Sequence, residues 1–207
     1  MARMKFLCDV ERCIECNACV TACNNEHDVP WDINRRHVVT INDGKRGEKS
    51  ISVACMHCTD APCAAVCPVD CFYTTVDGIV LHDKDLCIGC GYCFYACPFG
   101  APQYPEQQAF NVRGKMDKCT FCAGGPLPDN SPEEYRKYGR NRIAEGKLPL
   151  CAEMCSTKAL LAGDGTLVSD IYRKRVMKRG GSMDFWRWEA AYPGQGNENR
   201  SENDKEK

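Results

Sequence analysis

The sequence predicts a loop-rich α+β fold of two nested units, each with short β-hairpins and short helices around two groups of cysteines. Three observations predict it. Sixteen of the eighteen cysteines fall into four tetrads. Short β-prone runs flank the tetrads. Tetrads two and three are neighbours in sequence, so tetrads one and four must form the other pair, with one unit inserted into the other.

The tetrads carry the chemistry. The first is Cys13, Cys16, Cys19 and Cys23, and the third is Cys87, Cys90, Cys93 and Cys97, followed by Pro98. The second is Cys55, Cys58, Cys63 and Cys67, followed by Pro68, and the fourth is Cys119, Cys122, Cys151 and Cys155. The first and third match the spacing of the bacterial ferredoxin run, in which three thiolates hold one cubane and the fourth reaches the neighbouring cluster. Four thiolates per cluster and sixteen cysteines give four 4Fe-4S clusters, with iron held through these cysteines alone. The chain reads as an electron wire. Ligands at every third residue let a loop wrap a cubane, while its amides remain free to tune the cluster sulfurs. The fourth cysteine is expected just inside a following helix, with Pro68 and Pro98 in the first turn.

Two other readings of the cysteines are weaker. Disulfide scaffolds are small, whereas 207 residues with 43% hydrophobic content can build a core without staples. Structural zinc uses Cys-x2-Cys pairs, but it needs no third and fourth cysteine at these spacings. The charge balance, 27 Lys plus Arg against 28 Asp plus Glu, gives no push toward nucleic acid or an anionic surface. No stretch has the roughly 18–20 apolar residues of a membrane span. The basic opening reaches Asp9, Glu11 and Arg12 too early for a signal peptide.

The elements follow in order. Lys5 to Cys8 precedes tetrad one, Val38 to Ile41 follows it, and Ile51 to Ala54 precedes tetrad two, all as strands. Residues 71–75 and 79–82 read as a hairpin turning at Asp77-Gly78. Residues 159–162 and 166–168 are expected to repeat that hairpin. Residues 1–50 with 105–168 then form one unit, holding tetrads one and four. Residues 51–104 form the inserted unit, holding tetrads two and three.

At this point a resemblance becomes specific. Residues 4 to about 165 resemble the four-cluster ferredoxin subunits of the molybdopterin oxidoreductases. Cys55-Met-His-Cys58, Cys87-Ile-Gly-Cys90-Gly-Tyr-Cys93, Lys118-Cys119-Thr-Phe-Cys122 and the run from Glu145 to Ala159 look most like the iron-sulfur (β) subunit of formate dehydrogenase. The resemblance implies ligands that cross tetrads. Cys13, Cys16 and Cys19 would share a cluster with Cys155, and Cys119, Cys122 and Cys151 one with Cys23. Cys55, Cys58 and Cys63 would share one with Cys97, and Cys87, Cys90 and Cys93 one with Cys67. No three-iron cluster is expected, because the third tetrad is complete.

The resemblance also implies a non-catalytic electron-transfer subunit. Its partners would be a molybdenum or tungsten pterin catalytic subunit that oxidises formate and a membrane cytochrome b subunit feeding quinone. The complex would face the periplasm and be exported with its catalytic partner, or stay cytoplasmic if soluble. The alternatives are a subunit of another molybdopterin oxidoreductase, acting on a sulfoxide, polysulfide or similar substrate, and a free polyferredoxin carrier.

The remaining segments are read from composition. Residues 123–150 form an insertion, with Ser131, Pro132 and Glu134 opening a helix that reads as a solvated surface element rather than a subunit contact. Residues 169–193 give a basic helix, starting after a Ser169-Asp170 cap and ended by Gly180-Gly181, then Phe185-Trp186-Arg187-Trp188. That aromatic run suits an interface anchor or an edge of the protein's own core. Residues 194–207 read as a disordered tail. Cys8 and Cys71 read as small buried hydrophobes. His57 is expected near a cluster but not as a ligand, and Lys84 and Lys118 to offset cluster charge.

Overall fold

The computed structural model describes residues 3–105, 114–126 and 131–179. Met1–Val168 is one compact unit and Ser169–Lys207 a second. Along the chain run β1 (Met4–Cys8), α1 (Ala18–His27), β2 (Arg36–Ile41), β3 (Lys49–Ala54), α2 (Pro62–Ala65), β4 (Phe72–Thr74), β5 (Val80–His82), α3 (Tyr92–Ala96), α4 (Pro132–Tyr138), α5 (Leu150–Glu153), β6 (Leu160–Asp164) and α6 (Gly165–Lys178). The result is a mixed α/β molecule of short elements, consistent with a ferredoxin-like domain.

The strands form three antiparallel pairs. In the first, β1 lies on β6 from Met4↔Asp164 to Cys8↔Leu160, and Asp9 N–H extends the ladder to Ala159 O at 2.8 Å. This pairing brings the loop of tetrad one beside the end of tetrad four. It also replaces the expected 159–168 hairpin: β6 already has a partner in β1. Asp164 Oδ1 accepts from the amides of Thr166 and Leu167 at 2.8 and 3.1 Å and turns the chain into α6. The helix therefore starts at Gly165, before the Ser169-Asp170 cap read from sequence. The second pair, β2 with β3, runs from Arg36↔Ala54 to Ile41↔Lys49 and crosses residue 50.

The third pair, β4 with β5, is the hairpin turning through Asp77-Gly78. Gly78 sits at φ +74, and a Cβ there would lie 2.7 Å from Arg3 Cγ, so both backbone and space require glycine. Ile79 and Leu81 from this hairpin bury against Phe121, Ala152, Ala159 and Leu160. Burial of each such large apolar side chain contributes about 1.5–3 kcal/mol. The hairpin between tetrads two and three thus shares one core with residues around tetrads one and four.

Two helical expectations are corrected. The short helices α2, α3 and α5 each contain the third cysteine of their tetrad and stop before the fourth. Cys67, Cys97 and Cys155 lie past the helix ends, and only Cys23 lies inside its helix. Pro68 and Pro98 follow those ends, where a helix cannot continue. In the insertion, Ser131 Oγ accepts from Glu134 N at 3.2 Å and Pro132 opens α4. This helix is not a merely solvated element, since Tyr138 is 1% exposed and Glu134 is buried. Tyr138 packs edge-on against His82, ring centroids 5.8 Å apart, and its hydroxyl accepts from Lys84 N at 2.6 Å.

In the second unit the described residues end at Arg179, within and just beyond α6, where Arg173 pairs with Asp170. The Phe185–Trp188 run and the 194–207 tail lie outside the described residues. Among the described residues no helix is long and apolar enough to cross a membrane.

Candidate iron-sulfur sites

The backbone of the cysteine loops carries a fourfold repeat. In every tetrad the second residue after the first cysteine is left-handed: Glu15 (φ 57), His57 (φ 45), Gly89 (φ 70) and Phe121 (φ 59). Such a φ costs a non-glycine residue about 1–3 kcal/mol, so three of the loops hold strain. Alternating right- and left-handed residues turn successive N–H groups inward, making a concave nest for an anion. Sequence reasoning missed this, because only Gly89 announces it.

These loops bring the sixteen cysteines into groups. Cys13, Cys16, Cys19 and Cys155 line one cavity of about 340 Å³, partly open to solvent. Cys55, Cys58, Cys63 and Cys97 line another of about 360 Å³, together with the fully buried Lys118. Burial, then the charges of Cys119, Cys151 and Cys122 against that of Arg35, hold the Cys23 thiol well above its ordinary range. Burial first, with Cys119 and Cys151, pushes Cys122 up to about 12. Cys93 is raised by burial and feels Cys87, Cys90 and Cys67. Among the described residues, no three His, Cys, Asp or Glu side chains are close enough together to hold a single metal ion. Sulfurs ranged around a cavity suit a multi-iron cluster better than one zinc.

The surroundings of the sulfurs hold residues that the sequence did not place there. Cys8 lines the first cavity and its Sγ accepts from Ser52 N at 3.4 Å. Cys71 is buried with its sulfur 3.5 Å from Cys67 Sγ. Cys71 is buried and Cys8 packs against the core, as expected of small hydrophobes, and both also stand beside sulfurs of the tetrads. Tyr104 Oη lies 2.9 Å from Cys93 Sγ. His27 Nδ1 donates to Tyr138 O at 3.1 Å, leaving Nε2 facing Cys122 Sγ at 3.2 Å. Burial, then Arg35, pushes the His27 pKa down to about 3.

Gly139, at φ +80, makes room for that ring, since a Cβ there would run into His27 Nδ1. His57, by contrast, turns away: its Nδ1 accepts from Val80 N at 3.1 Å. Lys118 Nζ donates to the carbonyls of Val80 and Cys119.

Buried cations gather at these groups. Arg35 pairs with Asp117 at 2.9 Å, and Lys84 adds a contact to Asp117 at 3.4 Å. Lys84 thus spends its charge on a carboxylate. Burial raises the Asp117 pKa, but Arg35 and Lys84 outweigh it and hold the carboxyl at about 2. Arg36 is 1% exposed. Burial works against its charge, and the sulfurs of Cys151, Cys119, Cys23 and Cys19 more than restore it.

Comparison with known proteins decides the family. Residues 47–126 match the model of a 4Fe-4S dicluster domain. The chain is 63% identical over 194 residues to the formate dehydrogenase iron-sulfur subunit of Wolinella succinogenes, covering 92% of this chain and 97% of that one. The chain belongs to this family of iron-sulfur subunits. Further relatives are the thiosulfate reductase electron transfer subunit of Salmonella typhi, 37% identical over 76% of this chain and 74% of its own, and a subunit of the anaerobic dimethyl sulfoxide reductase of Escherichia coli, 34% identical over 75% and 70%. The four cysteine groups fit the four 4Fe-4S clusters of such a subunit. Like its relatives, the chain transfers electrons within an oxidoreductase complex and is not the catalytic subunit.

Proposed function

We propose that this chain relays electrons from a catalytic subunit that oxidises formate at a molybdenum or tungsten pterin. The single observation that carries the choice of formate is the 63% identity to a formate dehydrogenase iron-sulfur subunit. Identities to the sulfoxide and thiosulfate reductase subunits named above are 34% and 37%.

The proposed ligand sets cross the tetrads: Cys13, Cys16, Cys19 and Cys155; Cys23, Cys119, Cys122 and Cys151; Cys55, Cys58, Cys63 and Cys97; and Cys67, Cys87, Cys90 and Cys93. The two cavities support the first and third sets, and the influence of the sulfurs on one another's charge supports the others. A bound 4Fe-4S cluster supplies one-electron uptake and release. The protein's share is to hold each sulfur in place, to exclude water from the buried ones, and to set the local charge. The same reading divides the chain into a unit of residues 51–104 nested within residues 1–50 and 105–168. The β1–β6 pairing, which joins the two ends of the outer unit, favours that nesting.

The acceptor in this reading is a membrane cytochrome b subunit feeding quinone. The complex stands on the periplasmic face of the inner membrane, to which the chain travels with its catalytic partner. Anaerobic pull-down of the tagged chain, followed by a formate oxidation assay, tests it. Recovery of a large pterin-containing subunit with formate-dependent dye reduction is expected. Recovery of the chain alone would favour a free polyferredoxin, and a partner active only on a sulfoxide or polysulfide would favour the other oxidoreductases.

A further inference from the structure

A buried arginine with no carboxylate partner among the described residues is the least explained charge in the molecule. Arg36 opens β2 opposite Ala54. Its Nη1 donates to Ser52 Oγ at 3.1 Å, and that hydroxyl lies 3.3 Å from Cys19 Sγ. The guanidinium lies over the Phe6 ring, 4.4 Å from its centroid, which keeps water from that face. Its Nε and Nη2 have no hydrogen-bond partner among the described residues. Neighbouring Arg35 is different, because Asp117 neutralises it.

Arginine cannot shed its charge, and an isolated buried ion is costly by several kcal/mol. Something negative must therefore face Arg36. Sulfurs from two groups surround it: Cys19, reached through Ser52, and Cys151 and Cys119, which share cores with the Phe6 ring it covers. These three and Cys23 are the charges that act on it most. A cluster with four thiolates is an anion, and each reduction adds one negative charge. A nearby fixed cation favours the reduced form, and out of water its influence is poorly screened.

We propose that Arg36 is the shared counter-ion of two clusters, the one held by Cys13, Cys16, Cys19 and Cys155 and the one held by Cys23, Cys119, Cys122 and Cys151. The Ser52 hydroxyl ties it to Cys19, and its Nε and Nη2 hydrogens remain available to cluster sulfurs. It raises both reduction potentials together, so that neighbouring steps of the relay stay matched. This rests on the cluster assignment proposed above.

The test compares parent, Arg36→Gln and Arg36→Lys proteins, purified anaerobically with their complex. Iron and labile sulfide are measured first, then the four midpoint potentials by titration followed by electron paramagnetic resonance. A parent without a full complement of iron would overturn the cluster assignment itself, before any variant is compared. With full iron, Arg36→Gln should lower two potentials, those of the signals also altered by Cys16→Ser and Cys122→Ser. The other two should stay, and Arg36→Lys should remain near the parent. Unmoved potentials, a shift in one signal only, an equal shift in all four, or a lysine variant that behaves as glutamine would overturn the proposal. If Arg36→Gln fails to assemble, full iron in Arg36→Lys supports a need for the charge. Failure of both would assign Arg36 to packing and overturn it.

Discussion

His27 and Cys122 meet across the chain: the imidazole Nε2 lies 3.2 Å from the sulfur, while Nδ1 is tied to the carbonyl of Tyr138. Through this one ring, the end of α4 reaches a cysteine of tetrad four. His27→Ala should therefore change one paramagnetic signal, the one that Cys122→Ser also changes, and leave three alone. The lost buried hydrogen bond should cost about 1–3 kcal/mol of stability, measured by denaturant unfolding. Four unchanged signals would mean that the ring only fills space.

The insertion can be tested at its buried phenol. Tyr138→Phe removes the acceptor of the Lys84 amide, leaving a donor unmatched where little water enters. A loss of about 1–3 kcal/mol is expected, with iron content retained. No loss of stability would return α4 to the status of a solvated decoration.

Asp117 carries the clearest pH dependence. Its carboxyl stands at about 2, against an ordinary value of 3.8. A depressed pKa means that its stabilising contribution is complete above about pH 4 and disappears as the pH falls through 2. Asp117→Asn strips Arg35 of its buried partner and should cost about 3–5 kcal/mol at neutral pH. The gap between parent and variant, read from unfolding midpoints, should narrow as the pH drops below 4. A gap independent of pH would show that packing, not charge, sets the cost.

The ligand pairing predicts which cysteine variants act alike. Cys155→Ser and Cys16→Ser should disturb one common paramagnetic signal, and Cys23→Ser should disturb another, shared with Cys122→Ser. If Cys23→Ser and Cys16→Ser alter the same single signal, each tetrad holds its own cluster and the crossed sets are wrong.

Much of this organisation is legible in the chain. Cysteine spacing announces clusters because each ligand loop is local, and the Asp77-Gly78 turn announces its hairpin for the same reason. What is not legible depends on distant segments meeting. Thr166 to Val168 look like a strand, but β6 is already occupied by β1 and Asp164 caps a helix instead. Cys8, Cys71, Tyr104 and His27 lie beside sulfurs of the tetrads only because the chain folds back on itself. Arg36 draws no attention in the sequence, since nothing around it there says that it is buried with no carboxylate partner among the described residues.

That sixteen thiolates hold four cubanes is tested most directly by elemental and sulfide analysis of the anaerobically purified chain. About sixteen iron and about sixteen labile sulfide per chain are expected, with negligible zinc. A preparation with about four zinc or fewer, and no labile sulfide, would contradict it.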